Sequence, residues 1–289
     1  MKKNLLIAMV LMGISAKAQF FQRTYGPGTD NRLTHGYNTN AVGLGHFMVG
    51  NTFTTFGTMP LVAVRTDVNG TPNPVPNFTS IYQINDGTNN LFAGRARSFE
   101  IPGGTGFGIL VEISGATDGL AYLTLDPSGN VTNIMRHFPV AAGYRVQLAH
   151  VVVNDLTNTD AIAVGTMINT NVSPAEEYPF AYSFDIATGN TINWSNYYDH
   201  FNGFSPSINV SVYDCALAPG TGLLGVVGKA NTGGFTVGDD AFYMALDITT
   251  GGWMGPSVIN DWVSNEDLRA IHYSAALGLF ATCGSFDFF

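Results

Sequence analysis

One short phrase recurs four times along this chain at nearly constant spacing. In its clearest copy an apolar segment, residues 241–246, ends in Asp247 and is followed by a turn that contains Gly251. The corresponding aspartates lie 59, 59 and 62 residues apart, at Asp67, Asp126, Asp185 and Asp247. A fixed period of this size is typical of repeat proteins in which each repeat is one supersecondary unit.

Each repeat contains four short apolar runs separated by Gly, Asn, Asp and Pro, and helical periodicity is nearly absent. In the second repeat these runs are residues 91–99, 107–113, 120–125 and 131–138. The pattern predicts an all-β fold, a β-propeller of four-stranded antiparallel blades with four full blades and a partial fifth. An array of β-sandwich domains is the competing architecture, but four strands are too few for a sandwich with its own core.

The recurring aspartates are interpreted as structural turn residues rather than as catalytic groups. Asp caps a tight turn through its side chain and Gly accepts positive φ, so the third strand can fold back as the fourth. A catalytic residue is needed once, whereas these recur in every full repeat. Glycines also recur in the second strands, where a missing side chain is expected to let adjacent blades approach closely. They are Gly50, Gly165, Gly228 and Gly284.

The N-terminus has the pattern of a secretory signal peptide. Lys2 and Lys3 precede an apolar run, and Ala16-Lys17-Ala18 forms a small-residue cleavage site. We therefore predict a signal peptide over residues 1–18 and a propeller domain over 19–289, in a secreted or cell-surface protein. The last repeat stops after two strands, which suggests that the natural chain continues past Phe289. No later segment is apolar for long enough to predict a membrane span.

The charge balance disfavours nucleic acid as a partner. The chain has 12 Lys+Arg against 21 Asp+Glu, a formal net charge of −9. Removal of the signal peptide takes away three lysines and makes the balance more acidic. Nucleic-acid binding requires clustered Lys and Arg, so an unidentified protein or glycan is the expected partner.

Six parts of the chain resemble a family of long-blade propeller repeats in proteins of bacteria that use type IX secretion. They are residues 22–26, 48–52, 62–70, 164–166, 184–189 with Trp194, and 227–228 with 246–253. The resemblance implies secretion, surface display and a C-terminal sorting domain, in a family whose members mostly have no known activity. Residues 184–189 with Trp194, and 245–251, also look like quinoprotein-type blades, in which the tryptophan docks against the next blade. The vicinal cysteines and calcium-binding carboxylate cluster of the quinone-dependent enzymes are missing, so this resemblance implies a noncatalytic scaffold.

Two sets of residues are candidates for binding. His35, His150 and His272 fall in first strands, which line the channel of a propeller, so they could converge at its mouth. The alternative is that each is a single, partly solvated polar residue. A second set of aromatic residues follows the third repeat and could stack on a sugar ring, contact a protein, or pack between blades. Its members are Tyr197, Tyr198 and Phe201.

No cofactor, metal site or catalytic residue is predicted from the motifs. The histidines lack metal-ligand spacing, and no Cys-x-x-Cys or serine-nucleophile motif is present. Paired carboxylates such as Asp239-Asp240 leave calcium binding open. Cys215 and Cys283 are either buried free thiols or a bridge between neighbouring repeats.

These observations favour a secreted, noncatalytic propeller that acts as a binding or adhesion module. The alternatives are an extracellular glycan-processing enzyme with carboxylates at the channel mouth, and a structural spacer in a larger surface protein. An enzyme should bring carboxylates and a His or Tyr together with shifted pKa values. A binder should instead expose an aromatic patch without such a cluster, and a spacer should have neither.

Overall fold

The computed structural model describes residues 31–40, 42–52, 59–71, 77–85, 90–115, 118–133, 137–140, 142–189, 192–198, 209–231, 239–254, 258–260 and 266–286. All regular elements in these ranges are β-strands. Among them, no helix is long and apolar enough to cross a membrane. The predicted signal peptide lies outside the described residues and stays a prediction.

The strands form successive antiparallel sheets, each built from consecutive segments of the chain. Blade 1 contains β1 (Asn31–Thr39), β2 (Gly45–Thr52), β3 (Leu61–Thr66) and β4 (Phe78–Tyr82). Blade 2 contains β5 (Ile84–Asn85), β6 (Asn90–Glu100), β7 (Phe107–Ser114), β8 (Gly119–Leu125), β9 (Val131–Asn133) and β10 (His137–Pro139). Blade 3 contains β11 (Tyr144–Val153), β12 (Asp160–Asn169), β13 (Glu176–Asp185) and β14 (Ile192–Tyr197).

Blade 4 contains β15 (Asn209–Ala218), β16 (Leu223–Asn231), β17 (Asp240–Asp247) and β18 (Val258–Asn260). A two-stranded hairpin follows, made of β19 (Glu266–Ser274) and β20 (Leu279–Phe286). The prediction of an all-β propeller with four full blades and a partial fifth is confirmed. We call β1, β6, β11, β15 and β19 the inner strands, because they are the first strands of their units.

The hydrophobic core lies in the seams between successive blades. Strand β8 is buried at every residue, because Ala121 and Leu123 pack in the core shared with blade 1, and Leu120 and Tyr122 in the core shared with blade 3. In the first seam Phe47 of blade 1 stacks on Phe107 of blade 2, with ring centroids 3.9 Å apart. Tyr122 of blade 2 meets Phe184 of blade 3 edge-to-face at 4.9 Å. The blades are therefore held by contacts between neighbours in sequence.

The four recurring aspartates lie at the turns between the third and fourth strands. Asp67 Oδ1 accepts the backbone N–H groups of Asn69 and Thr71, each at 2.8 Å. Asp126 Oδ1 likewise accepts the backbone N–H groups of Ser128 and Asn130. Asp185 and Asp247 accept bonds from both the N–H and the hydroxyl of a threonine. Each carboxylate thus satisfies turn donors that no strand partner reaches.

In blades 2, 3 and 4 the glycine that closes the turn also packs against an aromatic ring of the preceding blade. Trp194 of blade 3 lies against Gly251 of blade 4, where a β-carbon would collide with the indole. Its Nε1–H donates to the Ile248 carbonyl at 3.0 Å. Tyr122 packs on Gly189 in the same way and donates its hydroxyl to the Ile186 carbonyl at 2.9 Å. The turn therefore reverses the chain and also forms a binding surface for an aromatic ring of the previous blade. We call this surface the socket.

Replacement of Gly251 by Ala tests this socket. Gly251 and Gly220 have nearly the same backbone conformation, with φ of +66° and +71°, but a β-carbon at Gly220 would meet nothing within 4 Å. Gly220→Ala should cost about 1 kcal/mol of unfolding free energy through backbone strain alone. Gly251→Ala should cost about 1–3 kcal/mol more, because the indole must move. Urea denaturation measures both, and equal losses would contradict the socket.

Candidate functional site

Every inner strand carries a β-bulge at the same place, a few residues after its start. The register of each inner strand shifts against its second strand between Leu33 and His35, Ala93 and Ala96, Leu148 and His150, Val212 and Asp214, and Leu268 and Ala270. A bulge bends its strand and redirects the following side chain. The repeated bulge therefore sets which residues point together near the centre of the ring.

The recurring second-strand glycines lie opposite these bulges, and they have a different role from the one expected. A β-carbon on Gly50 would collide with the carbonyl oxygen of Arg32, and one on Gly228 with that of Ser211. Both oxygens belong to the inner strand of the same blade. The expectation that these glycines bring adjacent blades together was wrong, because the close approach occurs within each blade, where the bulge presses the inner strand onto its partner.

In blade 2 the glycine lies on the inner strand and the larger residue on the second strand. This exchange places a carboxylate beside the bulge. Glu112 occupies the position that glycine holds in the other second strands, while the inner strand supplies the small residue, Gly94. Glu112 Oε1 accepts the N–H of Leu148 in blade 3 at 2.6 Å, and Oε2 accepts the N–H of Arg95 at 3.1 Å. Burial raises the pKa of Glu112, although both N–H bonds act in the opposite direction.

The residues that follow the bulges in blades 1, 3 and 4 meet one another. The rings of His35 and His150 lie edge-to-face, with centroids 5.6 Å apart. His150 Nδ1 lies 3.2 Å from Asp214 Oδ1, and both side chains keep solvent contact, at 29% and 21% exposure. Asp214 Oδ2 accepts the N–H of Ile271 from the fifth unit at 3.0 Å. Burial lowers the pKa of His150, and Asp214 acts against that effect.

His35 is held as a neutral ring. Its Nδ1 accepts the backbone N–H of Ser98 at 3.2 Å and lies 3.2 Å from the Ser98 hydroxyl. Burial, followed by the nearby His150 and Arg97, lowers the pKa of His35 from 6.5 to about 3. Because Nδ1 is the acceptor, the ring proton resides on Nε2.

Arg97 connects three blades at this centre. Its guanidinium donates from Nε to the carbonyl of Ala149 at 2.5 Å and from Nη1 to the carbonyls of Thr34 and Ala96 at 3.1 and 3.0 Å. Burial lowers the pKa of Arg97, and the charges of Glu112 and Asp214 oppose the shift. The two carboxylates are therefore in electrostatic range of one cation. We call His35, Arg97, Glu112, His150 and Asp214 the central cluster.

The structure brings two of the three predicted histidines together and leaves the third apart. His35 and His150 hold the same position after their bulges, but in the fifth unit that position is Ala270. His272 is two residues further along β19, where it is exposed. Two residues along a strand amount to about 7 Å, so His272 lies outside the central cluster.

The aromatic residues predicted as a second binding set do not join the central cluster. Tyr198 donates its hydroxyl to the carbonyl of Gly251 in blade 4 at 2.8 Å, so it packs between blades. The backbone of Tyr197 pairs with Phe180. Phe201 lies outside the described residues.

Three members of the central cluster were not predicted, although the repeats carry a signal for two of them. Alignment of the second strands sets Val111-Glu112 beside Val49-Gly50, Val164-Gly165 and Val227-Gly228. A carboxylate at a glycine position is a departure that a repeat-by-repeat comparison can detect. Asp214 similarly aligns with His35 and His150 once the bulges are known. Arg97 has no such signal, because its partners are backbone carbonyls.

Metal and thiol chemistry find little support in the described part of the chain. It contains no group of three His, Cys, Asp or Glu side chains arranged to hold a metal ion. Cys215 and Cys283 are free, the first buried and the second exposed. This excludes the bridge between repeats in this structure. Burial raises the pKa of the Cys215 thiol well above its ordinary value, so it is a poor nucleophile.

Comparisons with known proteins give distant structural likenesses only. No family model and no curated protein matches the chain. An exo-β-1,3-galactanase from Clostridium thermocellum superimposes at 12% identity and a TM-score of 0.45, with 84% of this chain and 51% of that chain covered. An α-L-arabinofuranosidase from Podospora anserina, in complex with cellotriose, matches at 12% identity and a TM-score of 0.37, with 81% and 70% covered.

This chain therefore spans about half of the galactanase chain. At such identities and TM-scores the two solved structures do not indicate a shared activity. The resemblances to type IX-secreted repeats and to quinoprotein-type blades remain predictions from the residues.

The low pKa of His35 predicts an acid-sensitive fold. The unfolded chain binds a proton at this histidine below its ordinary pKa of 6.5, whereas the folded chain binds it only near pH 3. Stability contributed by neutral His35 is thus present above pH 6.5 and is lost as the pH falls toward 3, by a few kcal/mol. His35→Gln should weaken this dependence in melts between pH 7 and 4. His272→Gln is the control, and an unchanged slope in His35→Gln would contradict the assignment.

Proposed function

We propose that the protein hydrolyses glycosidic bonds at the central cluster, with Glu112 as the general acid and Asp214 as the general base. The observation that carries this proposal is that β11 links two carboxylates from different blades: Glu112 accepts the N–H of Leu148, and His150, two residues further on, lies 3.2 Å from Asp214. Glu112 is half-buried, and desolvation raises its pKa, whereas Asp214 is paired with a histidine. Two carboxyl groups in different environments have different pKa values. One can therefore act as the acid and the other as the base in glycoside hydrolysis.

The central cluster supports carboxyl chemistry better than a nucleophilic serine or cysteine. The Ser98 hydroxyl is buried and lies beside His35, whose pKa of about 3 makes that ring a weak base. The Cys215 thiol is held protonated by burial. A noncatalytic binder, the function favoured by the sequence, would not require carboxylates and histidines to converge, so the site favours the enzymatic alternative.

Each residue then has a defined role. Protonated Glu112 gives its proton to the departing glycosidic oxygen as the bond from that oxygen to the anomeric carbon breaks. Asp214 takes a proton from the water that adds to the anomeric carbon. His150 and the N–H of Ile271 fix the Asp214 carboxylate, one at each oxygen. Because the chain carries a formal charge of −9, a neutral glycan is a better substrate than an anionic one.

Removal of either carboxyl group tests the assignment. Glu112→Gln and Asp214→Asn should each lower kcat by about 10²–10⁴-fold, the usual contribution of a general acid or base. The assay is the release of reducing sugar from neutral polysaccharides, including galactan and arabinan. Asp118→Asn, at a partly exposed carboxylate near Arg145 and outside the central cluster, is the control and should keep full activity.

The pH profile separates a catalytic role from a structural one. With Glu112 as the acid, kcat/KM should fall as the pH rises through the raised pKa of Glu112, and Glu112→Gln should lose this limb. Circular dichroism melts show whether each variant is folded. Bound glycan without hydrolysis would instead support the noncatalytic binding module, and full activity in Asp214→Asn would refute the proposed base.

A further inference from the structure

Three nitrogen atoms of the central cluster make no hydrogen bond to any described residue. They are Nη2 of Arg97, Nε2 of His35 and Nε2 of His150, and we call them the three free nitrogens. These side chains bond to the protein through their other nitrogens, Nε and Nη1 in Arg97 and Nδ1 in both histidines. None of the three is a fully buried polar atom without a partner, so each keeps contact with solvent.

The three free nitrogens belong to side chains that are held close together. Arg97 donates to the carbonyls of Thr34 and Ala149, the residues that immediately precede His35 and His150. The two histidine rings lie edge-to-face, with centroids 5.6 Å apart. The charge of Arg97 also acts on the pKa of both histidines. Because backbone carbonyls hold the guanidinium, its free nitrogen has a defined position beside the two rings.

The bond at the other nitrogen of each ring determines whether its free nitrogen donates or accepts. His35 Nδ1 accepts the N–H of Ser98, so Nε2 carries the ring proton and is a donor. His150 Nδ1 lies 3.2 Å from Asp214 Oδ1 and donates to that carboxylate, which leaves Nε2 of the neutral ring as an acceptor. Burial lowers the pKa of both histidines and so favours their neutral forms. Together with Nη2 of Arg97, the centre offers donors beside one acceptor.

This combination fits a hydroxyl group better than a metal ion or a carboxylate. A hydroxyl oxygen accepts from the donors, and its own hydrogen is donated to the acceptor. A metal ion requires an unprotonated nitrogen, whereas Nε2 of His35 carries the proton and the neighbouring Arg97 is cationic. A carboxylate has no hydrogen for Nε2 of His150, and it would be repelled by Asp214 beside that ring.

We propose that the three free nitrogens bind one hydroxyl group of a neutral sugar. His35 and Arg97 donate to the hydroxyl oxygen, and His150 accepts its hydrogen. Because His150 holds Asp214 at its opposite edge, the hydroxyl belongs to the sugar ring whose anomeric carbon is attacked. This last assignment rests on the proposed function. Hydrogen bonds to a hydroxyl beside the anomeric carbon strengthen in the transition state, so the contact also increases the rate.

Asparagine at either histidine separates sugar binding from the structural role of the ring. Its side chain places an amide oxygen or nitrogen near the position of Nδ1 but has no atom at Nε2. His35→Asn thus keeps an acceptor for Ser98, and His150→Asn keeps a donor to Asp214. Each variant should bind the sugar about three- to tenfold more weakly, the usual effect of one neutral hydrogen bond. The control is His272→Asn, at an exposed residue outside the central cluster, and it should bind normally.

NMR of the ¹⁵N-labelled imidazole rings measures the tautomers and the binding together. At neutral pH the full chain should carry the ring proton on Nε2 in His35 and on Nδ1 in His150, with the signals assigned from the two asparagine variants. The probes are the methyl glycosides of galactose, arabinose, xylose and glucose, titrated separately. At least one of them should shift both Nε2 signals, whereas glycerol at the same concentration should not.

The outcomes distinguish this proposal from the proposed function. A ring proton on Nε2 of His150 would overturn the hydroxyl site, as would shifts with none of the four sugars or equal shifts with glycerol. Hydrolysis with unchanged KM in both folded asparagine variants would refute the hydroxyl site alone. Sugar binding that both variants weaken, in a protein that releases no reducing sugar, would support the hydroxyl site and refute the hydrolase. The wild-type tautomers and shifts decide the matter where a variant fails to fold.

Discussion

The contact between an aromatic ring and the turn glycine of the next blade is the interaction on which the rest of the fold depends. Trp194 on Gly251 and Tyr122 on Gly189 each combine close packing with a hydrogen bond to a turn carbonyl. The ring supplies buried area and the bond fixes its direction. Because the Asp–Gly turn is locally stable, it presents the same rigid surface in each repeat. Adjacent blades therefore meet at a defined angle, and the inner strands are brought around one centre.

That centre is shaped by a second repeated device, the bulge in each inner strand. The bulge allows post-bulge side chains from different blades to meet, and the opposing glycine makes room for the bent strand. The residues of the central cluster occupy positions at which the repeats differ from one another. His35, His150 and Asp214 replace one another at one position, and Glu112 replaces a glycine at another. Identical scaffolding with different side chains is how a symmetric framework obtains an asymmetric site.

The sequence predicted the fold well because its signals are local. Apolar runs, turn residues and the period of the aspartates all act within one repeat, and each had a direct structural counterpart. The central cluster was only partly predictable. His35 and His150 were identified from their inner-strand positions, but His272 was grouped with them because the bulge register was unknown. Glu112 is visible in the sequence only as a departure from the glycine of the other second strands, and Arg97 has no such signal, because its partners are backbone carbonyls.

Arg97 has a consequence for how the chain reaches its native state. Its partners Thr34 and Ala149 are separated by more than a hundred residues and belong to blades that are not neighbours. Most other contacts join successive blades and can form in the order of synthesis. The guanidinium can be satisfied only after three blades are in place, and contacts between distant residues form late because loop closure must precede them. The centre of the ring is thus a checkpoint in assembly, because Arg97 finds all its partners only in chains whose first three blades have docked correctly.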